Sequence, residues 1–246
     1  MDFSIKNNAL ASKVILVTGA GDGIGRQAAI SYAAQGATVI LLGKTVKKLE
    51  AVYDVIVEAG HPQPAIIPMD LKGATAQNYI DMTDSIEHQC QRLDGVLHNA
   101  GILTVLSPFE QIAHDSFDDV MKVNVTAPFM MTQALLPLLK KSKNSSIIFT
   151  TSSVGRQGRA YWGAYSISKF AIEGMMQTLA DELENTPVRV NCINPGATKT
   201  QMRARAFPGE DATLLKKPSD IMAPYLYLMA DESININSQS IDAQPK

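Results

Sequence analysis

The chain has 246 residues, 46% of them hydrophobic and 19% charged, enough apolar material for one large α/β domain and too much for a disordered or fibrous protein. A net charge of −2 with no basic stripe argues against nucleic acid as a partner, and the lack of a polybasic or long apolar segment argues against a membrane. Residues 1–13 do not read as a signal peptide, Cys90 and Cys192 form no spaced cluster, and His61, His88, His98 and His114 are scattered. The expectation is a cytoplasmic protein with reduced, buried thiols and no metal site.

Taken in chain order, short β-branched runs alternate with longer helical stretches. The run 13–18 (KVILVT) is continuous, apolar, too short for a helix and closed by glycines, as a buried parallel strand should be. Similar runs lie at 38–42, 65–69, 95–98, 146–150 and 188–193, with a weaker one at 238–241. Between them the pattern predicts helices over 24–35, 46–59, 76–91, 115–140, 164–185 and 220–230. Parallel strands need crossovers, and helices of this length provide them. The rhythm predicts a doubly wound parallel sheet of the Rossmann type, about seven strands with helices on both faces, in one domain spanning 1–246. In such a sheet ligands bind beyond the carboxyl ends of the strands, at the switch in strand order.

The glycines stand at that place. Thr18-Gly19-Ala20-Gly21-Asp22-Gly23-Ile24-Gly25 follows the first strand and opens the first helix. Glycines allow a tight turn and close approach of backbone N–H groups to a pyrophosphate, while the helix N-terminus favours negative charge. A glycine turn can also merely connect elements; the strand–turn–helix setting favours a dinucleotide. An NAD site tends to carry an acid after the second strand, on the ribose 2′-OH, and an NADP site a cation. Here the strand ends Leu41-Leu42-Gly43-Lys44-Thr45, so NADP(H) is favoured and NAD(H) remains possible. Two features stand against this: Lys44, Lys47 and Lys48 could be a solvated helix start, and Asp22 sits in the glycine turn where a basic residue would help. Arg26 could compensate.

Tyr165 and Lys169 are four apart on a predicted helix and share a face. With 7 tyrosines and 15 lysines, chance alone supplies about 0.4 such pairs. Ser152, thirteen residues before Tyr165 at the end of the fifth strand, and Asn124, twenty-eight before Ser152, make chance a poor explanation. Reduction of a carbonyl leaves an alkoxide that must be protonated, and a phenol near pKa 10 needs help to give and take that proton at neutral pH. A nearby ammonium favours phenolate; lowering the phenol by about three units takes roughly 4 kcal/mol. Ser152 can polarise the substrate oxygen; Ser153 is chemically equal, and only spacing separates them.

The turn T-G-x-x-x-G-I-G, followed by Asn124, Ser152, Tyr165 and Lys169 in that order, resembles the short-chain dehydrogenase/reductase family, and the resemblance covers nearly the whole chain. It implies an oxidoreductase acting on a small carbonyl or alcohol through these four residues, with Asn124 holding a water and Lys169 also binding the nicotinamide ribose. It further implies cofactor contacts from Gly19, Gly21, Asp22, Gly23, Ile24 and Gly25, from Asp70 and Leu71 after the third strand, and from Asn99-Ala100-Gly101 after the fourth. His98, which precedes them, is expected to pack. Pro195-Gly196 with Thr198 and Thr200 should meet the nicotinamide carboxamide, and about 197–217 should form a lid over the substrate. Relatives pair into homodimers or homotetramers through their two long central helices. The ending Ile241-Asp242-Ala243-Gln244-Pro245-Lys246 departs from the family's glycine-bearing one.

The scattered methionines (Met121, Met130, Met131, Met175, Met176) are expected in core or subunit packing. Tyr161 and Trp162 could line the substrate mouth or simply pack. Arg156, Arg159, Arg203 and Arg205 could hold a carboxylate or phosphate there, though solvated surface is the ordinary state of such arginines. Two other readings compete: a catalytically weak NADP(H)-binding regulator, which would have no need of Tyr165 with Ser152, and an epimerase or dehydratase of the longer two-domain relatives, whose substrate domain 246 residues do not accommodate.

Overall fold

The structure is a computed structural model that describes residues 3–244. Seven strands, β1 (Val14–Thr18), β2 (Thr38–Gly43), β3 (Ala65–Pro68), β4 (Gly95–His98), β5 (Ser145–Thr150), β6 (Val188–Asn194) and β7 (Ser240–Asp242), form one sheet in the order β3-β2-β1-β4-β5-β6-β7. Every neighbouring pair is parallel. Alternate side chains leave opposite faces of a strand, so an all-apolar strand feeds two cores. Ile15, Val17, Val39 and Leu41 enter one, and Leu16, Ile40 and Leu42 the other.

Helices cover both faces, as the apolar runs require. The first core is closed by α1 (Gly23–Ala34), α2 (Val46–Glu58) and α8 (Met222–Met229), the second by α3 (Ala76–Cys90), α5 (Ala127–Leu139) and α6 (Gly163–Glu182). Met131 and Met176 are buried in the second core, with Met130 and Met175 packed against it.

The predicted helix 115–140 is not uniform. It consists of α4 (His114–Met121), a π turn over Lys122–Thr126, and α5. Pro128 has no N–H to give the carbonyl four residues back, that of Asn124, and its ring crowds the same carbonyl. The turn widens, and the Ala127 N–H reaches the Lys122 carbonyl instead. Other boundaries shift less. The helix drawn over 164–185 ends at Glu182, that over 220–230 begins as a 3₁₀ turn (Pro218–Ile221), and the weak last strand sits two residues later than expected. Cys90 is half-buried where a buried thiol was expected; Cys192 is fully buried, and neither is in a disulfide.

Among the described residues no helix is long and apolar enough to cross a membrane, and no three His, Cys, Asp or Glu side chains gather as a metal site.

Candidate active site

The strand order reverses between β1 and β4, and the chain fastens their carboxyl ends together. Thr18 Oγ1 accepts the N–H groups of Asn99 and Ala100, both at 3.0 Å. Above this junction opens a cleft of about 690 Å³, lined at one end by Lys44, Asp70 and Leu71, in the middle by Gly19, Gly21–Ile24 and Asn99–Gly101, and at the other by Ser152, Tyr165 and Lys169.

The glycine turn is built for close approach. Gly19 has φ +69°, and a Cβ on Gly25 would collide with the Gly19 carbonyl and lie 2.6 Å from Asn99 Nδ2. These tight contacts keep the start of α1 against the strand ends, leaving its amino end open to the cleft. A pyrophosphate fits such a cradle: bare backbone, an N-terminal dipole and room on one side.

Asp22 is not a lone anion in this turn. It caps α1, its carboxylate accepting from the Gly23 N–H at 2.8 Å, and it receives Lys48 Nζ at 2.5 Å. The Lys48 ammonium holds it below the usual carboxylate range, with Arg26 adding a smaller effect in the same direction. The opposition expected from Asp22 is therefore largely answered from within the chain. Lys44 is exposed, lines the cleft and has no anion partner among the described residues. Lys48 lines the cleft too, whereas Lys47 does not.

At the far end, Tyr165 is half-buried one turn before the fully buried Lys169 on α6. Burial pushes the Tyr165 phenol up to about 12, outweighing the opposite pull of the neighbouring Ser152 hydroxyl. Lys169 Nζ lies 5.4 Å from the Tyr165 ring centre and donates to the Thr150 carbonyl at 2.7 Å; burial brings its ammonium down to about 8. Lys169, expected to favour phenolate, is not among the groups that shift the phenol in the protein alone. Ser153, unlike Ser152, is exposed and is not among the groups that act on the Tyr165 phenol.

Asn124 does not border the cleft. Buried in the π turn, it clamps the backbone that follows Gly101: its Oδ1 accepts the Ile102 N–H at 2.8 Å and its Nδ2 donates to the Ile102 carbonyl at 3.0 Å and to Ser168 Oγ at 3.1 Å. His98 packs as expected, stacked on Phe149 and paired with Thr132 at 2.9 Å, with burial driving its pKa down to about 3.

Pro195, Gly196, Thr198 and Thr200 all line the cleft. The Thr198 hydroxyl turns to its own loop, donating to the Pro195 carbonyl at 3.2 Å. Thr200 caps a short helix, α7 (Gln201–Ala206), and sits against Gly23, so it faces the glycine turn rather than the far end of the cleft. Sequence reasoning did not foresee α7, nor Gln244, whose Nε2 donates to the carbonyls of Pro195 (2.8 Å) and Ala197 (3.1 Å) and to Thr198 Oγ1 (3.3 Å). The departure of the C-terminal ending from the family pattern was the available signal for Gln244.

The four arginines separate. Arg156 leaves the mouth altogether, held by Asp242 at 2.9 Å and Ser240 at 3.0 Å beside the buried Glu173. Arg159, Arg203 and Arg205 line the cleft. Trp162 borders it as well, its ring 5.7 Å from that of Tyr165 and 5.9 Å from that of Phe207, while Tyr161 points out to solvent.

This geometry coincides with a family match over residues 13–211 to the short chain dehydrogenase model. The chain belongs to the short chain dehydrogenase family. It is 54% identical to the uncharacterized oxidoreductase YciK of Escherichia coli (strain K12) over 245 residues, covering 100% of this chain and 97% of that one. The solved structure of a Pseudomonas syringae protein described as a short chain dehydrogenase superposes with a TM-score of 0.97 at 56% identity, covering 99% of each chain. A short chain dehydrogenase of Shigella flexneri 2a, complexed with NADP, superposes with a TM-score of 0.95 at 54% identity, covering 98% of this chain and 100% of that one. This short chain dehydrogenase therefore shares with close relatives both the sheet and the cleft above it.

Proposed function

We propose that the protein is an NADP(H)-dependent reductase of carbonyl compounds, with Tyr165, Ser152 and Lys169 as its catalytic residues and Asn124 positioning them. The observation that carries this reading is the convergence of Ser152, Tyr165 and the buried Lys169 ammonium on one cleft whose middle is a glycine cradle. A bound nicotinamide would supply the reducing equivalent and, once oxidised, a positive charge that favours phenolate. Gly19–Gly25, Asp70, Leu71, Asn99–Gly101 and Pro195–Thr200 are the residues to hold it, and Lys44, supported by Lys48, to meet a 2′-phosphate. The NADP in the Shigella relative supports that choice of cofactor.

The residues divide the work by their protonation. A phenol with a pKa near 12 keeps its proton at neutral pH, so Tyr165 is ready to donate to a carbonyl oxygen as negative charge develops there. Ser152, beside the phenol, has one O–H to turn to the same oxygen, so that Tyr165 and Ser152 each donate one hydrogen bond to it. Lys169, charged below about pH 8, places a cation behind the phenol as its proton leaves. Asn124 fixes the Gly101–Ile102 backbone facing Lys169. Residues 197–217 close the cleft as a lid. Exposed Phe129 on α5 and Ile167 and Phe170 on α6 support an assembly of copies through these helices, and the two free thiols support a cytoplasmic setting.

The test is Tyr165→Phe. Folding and NADPH binding should persist, and NADPH oxidation with any carbonyl the parent reduces should fall about 10²–10⁴-fold. A variant that retains parental turnover would refute the assignment.

A further inference from the structure

We infer that the substrate carries an anionic group, a carboxylate or a phosphate, beside an apolar body, and that Arg159 and Arg205 hold that group; this rests on the reductase reading of the cleft. Three arginines line the cleft, and they are not equivalent. Arg203 is spoken for: it pairs with Glu210 at 2.5 Å and lies 3.8 Å over the Phe207 ring. Arg159 and Arg205 have no carboxylate, carbonyl or ring partner for their guanidinium groups among the described residues. Their surroundings offer none either, because the only carboxylates that line the cleft, Asp22 and Asp70, stand in its nucleotide half.

That imbalance runs against the composition. The chain has 24 acidic residues to 22 basic ones, and these two exposed guanidinium groups stand at the cleft without a facing acid. Arg159 is placed for substrate rather than cofactor: it lies in the loop between Ser152 and Tyr165, and its carbonyl accepts the N–H of Trp162. The cleft that holds them and Tyr165 also carries apolar side chains, Ile102, Leu103, Met202 and Trp162, the last 5.7 Å from the Tyr165 ring. Guanidinium forks bind carboxylate and phosphate oxygens in pairs, and low-dielectric walls strengthen the contact. An apolar wall with guanidinium groups at its rim selects a molecule with the same division.

Trp162 is the only tryptophan, and it lines the cleft, so its fluorescence reports occupancy without any need for turnover. With the protein saturated in NADP, so that cofactor phosphates already have their partners, three probes of one size are titrated: phenylacetate, benzylphosphonate and neutral 2-phenylethanol. One of the two anions should bind at least about ten-fold tighter than the alcohol, and which one does so identifies the group. Arg159→Gln and Arg205→Gln together should remove the preference and leave the alcohol's affinity within two-fold. Equal binding of all three, or a preference that survives loss of both arginines, would overturn the inference. A parallel NADPH-oxidation assay with 4-carboxybenzaldehyde and benzaldehyde separates the two readings: failure to reduce either strikes the reductase assignment, while the fluorescence result decides the anion site alone.

Discussion

Lys169 is a cation held in the interior, and its removal makes a quantitative case. Burial lowers its pKa from an ordinary 10.5 to about 8. At 1.36 kcal/mol per unit, that shift means the charged form destabilises the fold by about 3 kcal/mol at pH 7. Lys169→Met removes this penalty but also deletes the hydrogen bond to the Thr150 carbonyl, a loss of about 1–2 kcal/mol. The variant should therefore be inactive and yet more stable than the parent at pH 7 by about 1–2 kcal/mol. The sign of the pH dependence follows from the depressed pKa. Between about pH 8 and 10.5 the unfolded chain binds more protons at this residue than the folded one, so the parent gains stability relative to the variant as pH rises. Urea unfolding of both proteins, followed by circular dichroism at pH 7, 8.5 and 10, should show the advantage shrinking by about 2–3 kcal/mol and vanishing or reversing by pH 10. Taking the difference between the two proteins cancels the titration of Tyr32 and Tyr225, which do not interact with Lys169, and running the pair in a Cys192→Ala background removes the thiol that does. A difference that does not change with pH would refute the picture of a desolvated ammonium.

Three further outcomes follow from the geometry. Ser152→Ala should depress turnover at least ten-fold more than Ser153→Ala, because Ser152 is the half-buried one and the one whose hydroxyl acts on the Tyr165 phenol; equal effects in steady-state NADPH oxidation would contradict that. Lys44→Ala should erode a preference for NADPH over NADH of about 10–100-fold, the worth of one charge-assisted contact. Lys48→Ala, which leaves the Asp22 carboxylate unpaired in the glycine turn, should weaken NADPH more than NADH; titration of both reduced cofactors at fixed ionic strength reads each effect.

Much of the fold was legible because buried parallel strands are written as unbroken apolar runs and their crossovers as longer helical ones. What escaped was set by contacts distant in sequence or by short elements without periodicity. The break in the helix around Asn124 was in plain view as Pro128, but the wide periodic stretch around it masked the local signal. Residues 201–206 (QMRARA) offer no hydrophobic period, so α7 is fixed by its Thr200 cap rather than by pattern. The Asp22–Lys48 pair joins residues 26 apart, and Arg156 finds Asp242 across 86 residues, so no local reading could place either. Spacing alone was sufficient to gather Ser152, Tyr165 and Lys169 at one end of the cleft, because all three ride on two adjoining elements, the end of β5 and α6. It did not reveal that burial would set the direction of the phenol's pKa.

The buried His98 changes how acid inactivation of this protein should be interpreted. An unfolded histidine takes up a proton near pH 6.5, whereas His98 in the fold resists until about 3. Each step into acid therefore favours the open chain, by about 2 kcal/mol from this one ring at pH 5. The groups proposed to act on substrate titrate at about 8 and about 12, on the alkaline side only. An acid limb in a rate profile would then record the population of molecules still folded, not the ionisation of a catalytic group, and its midpoint would move with temperature and with any cofactor that stabilises the native state.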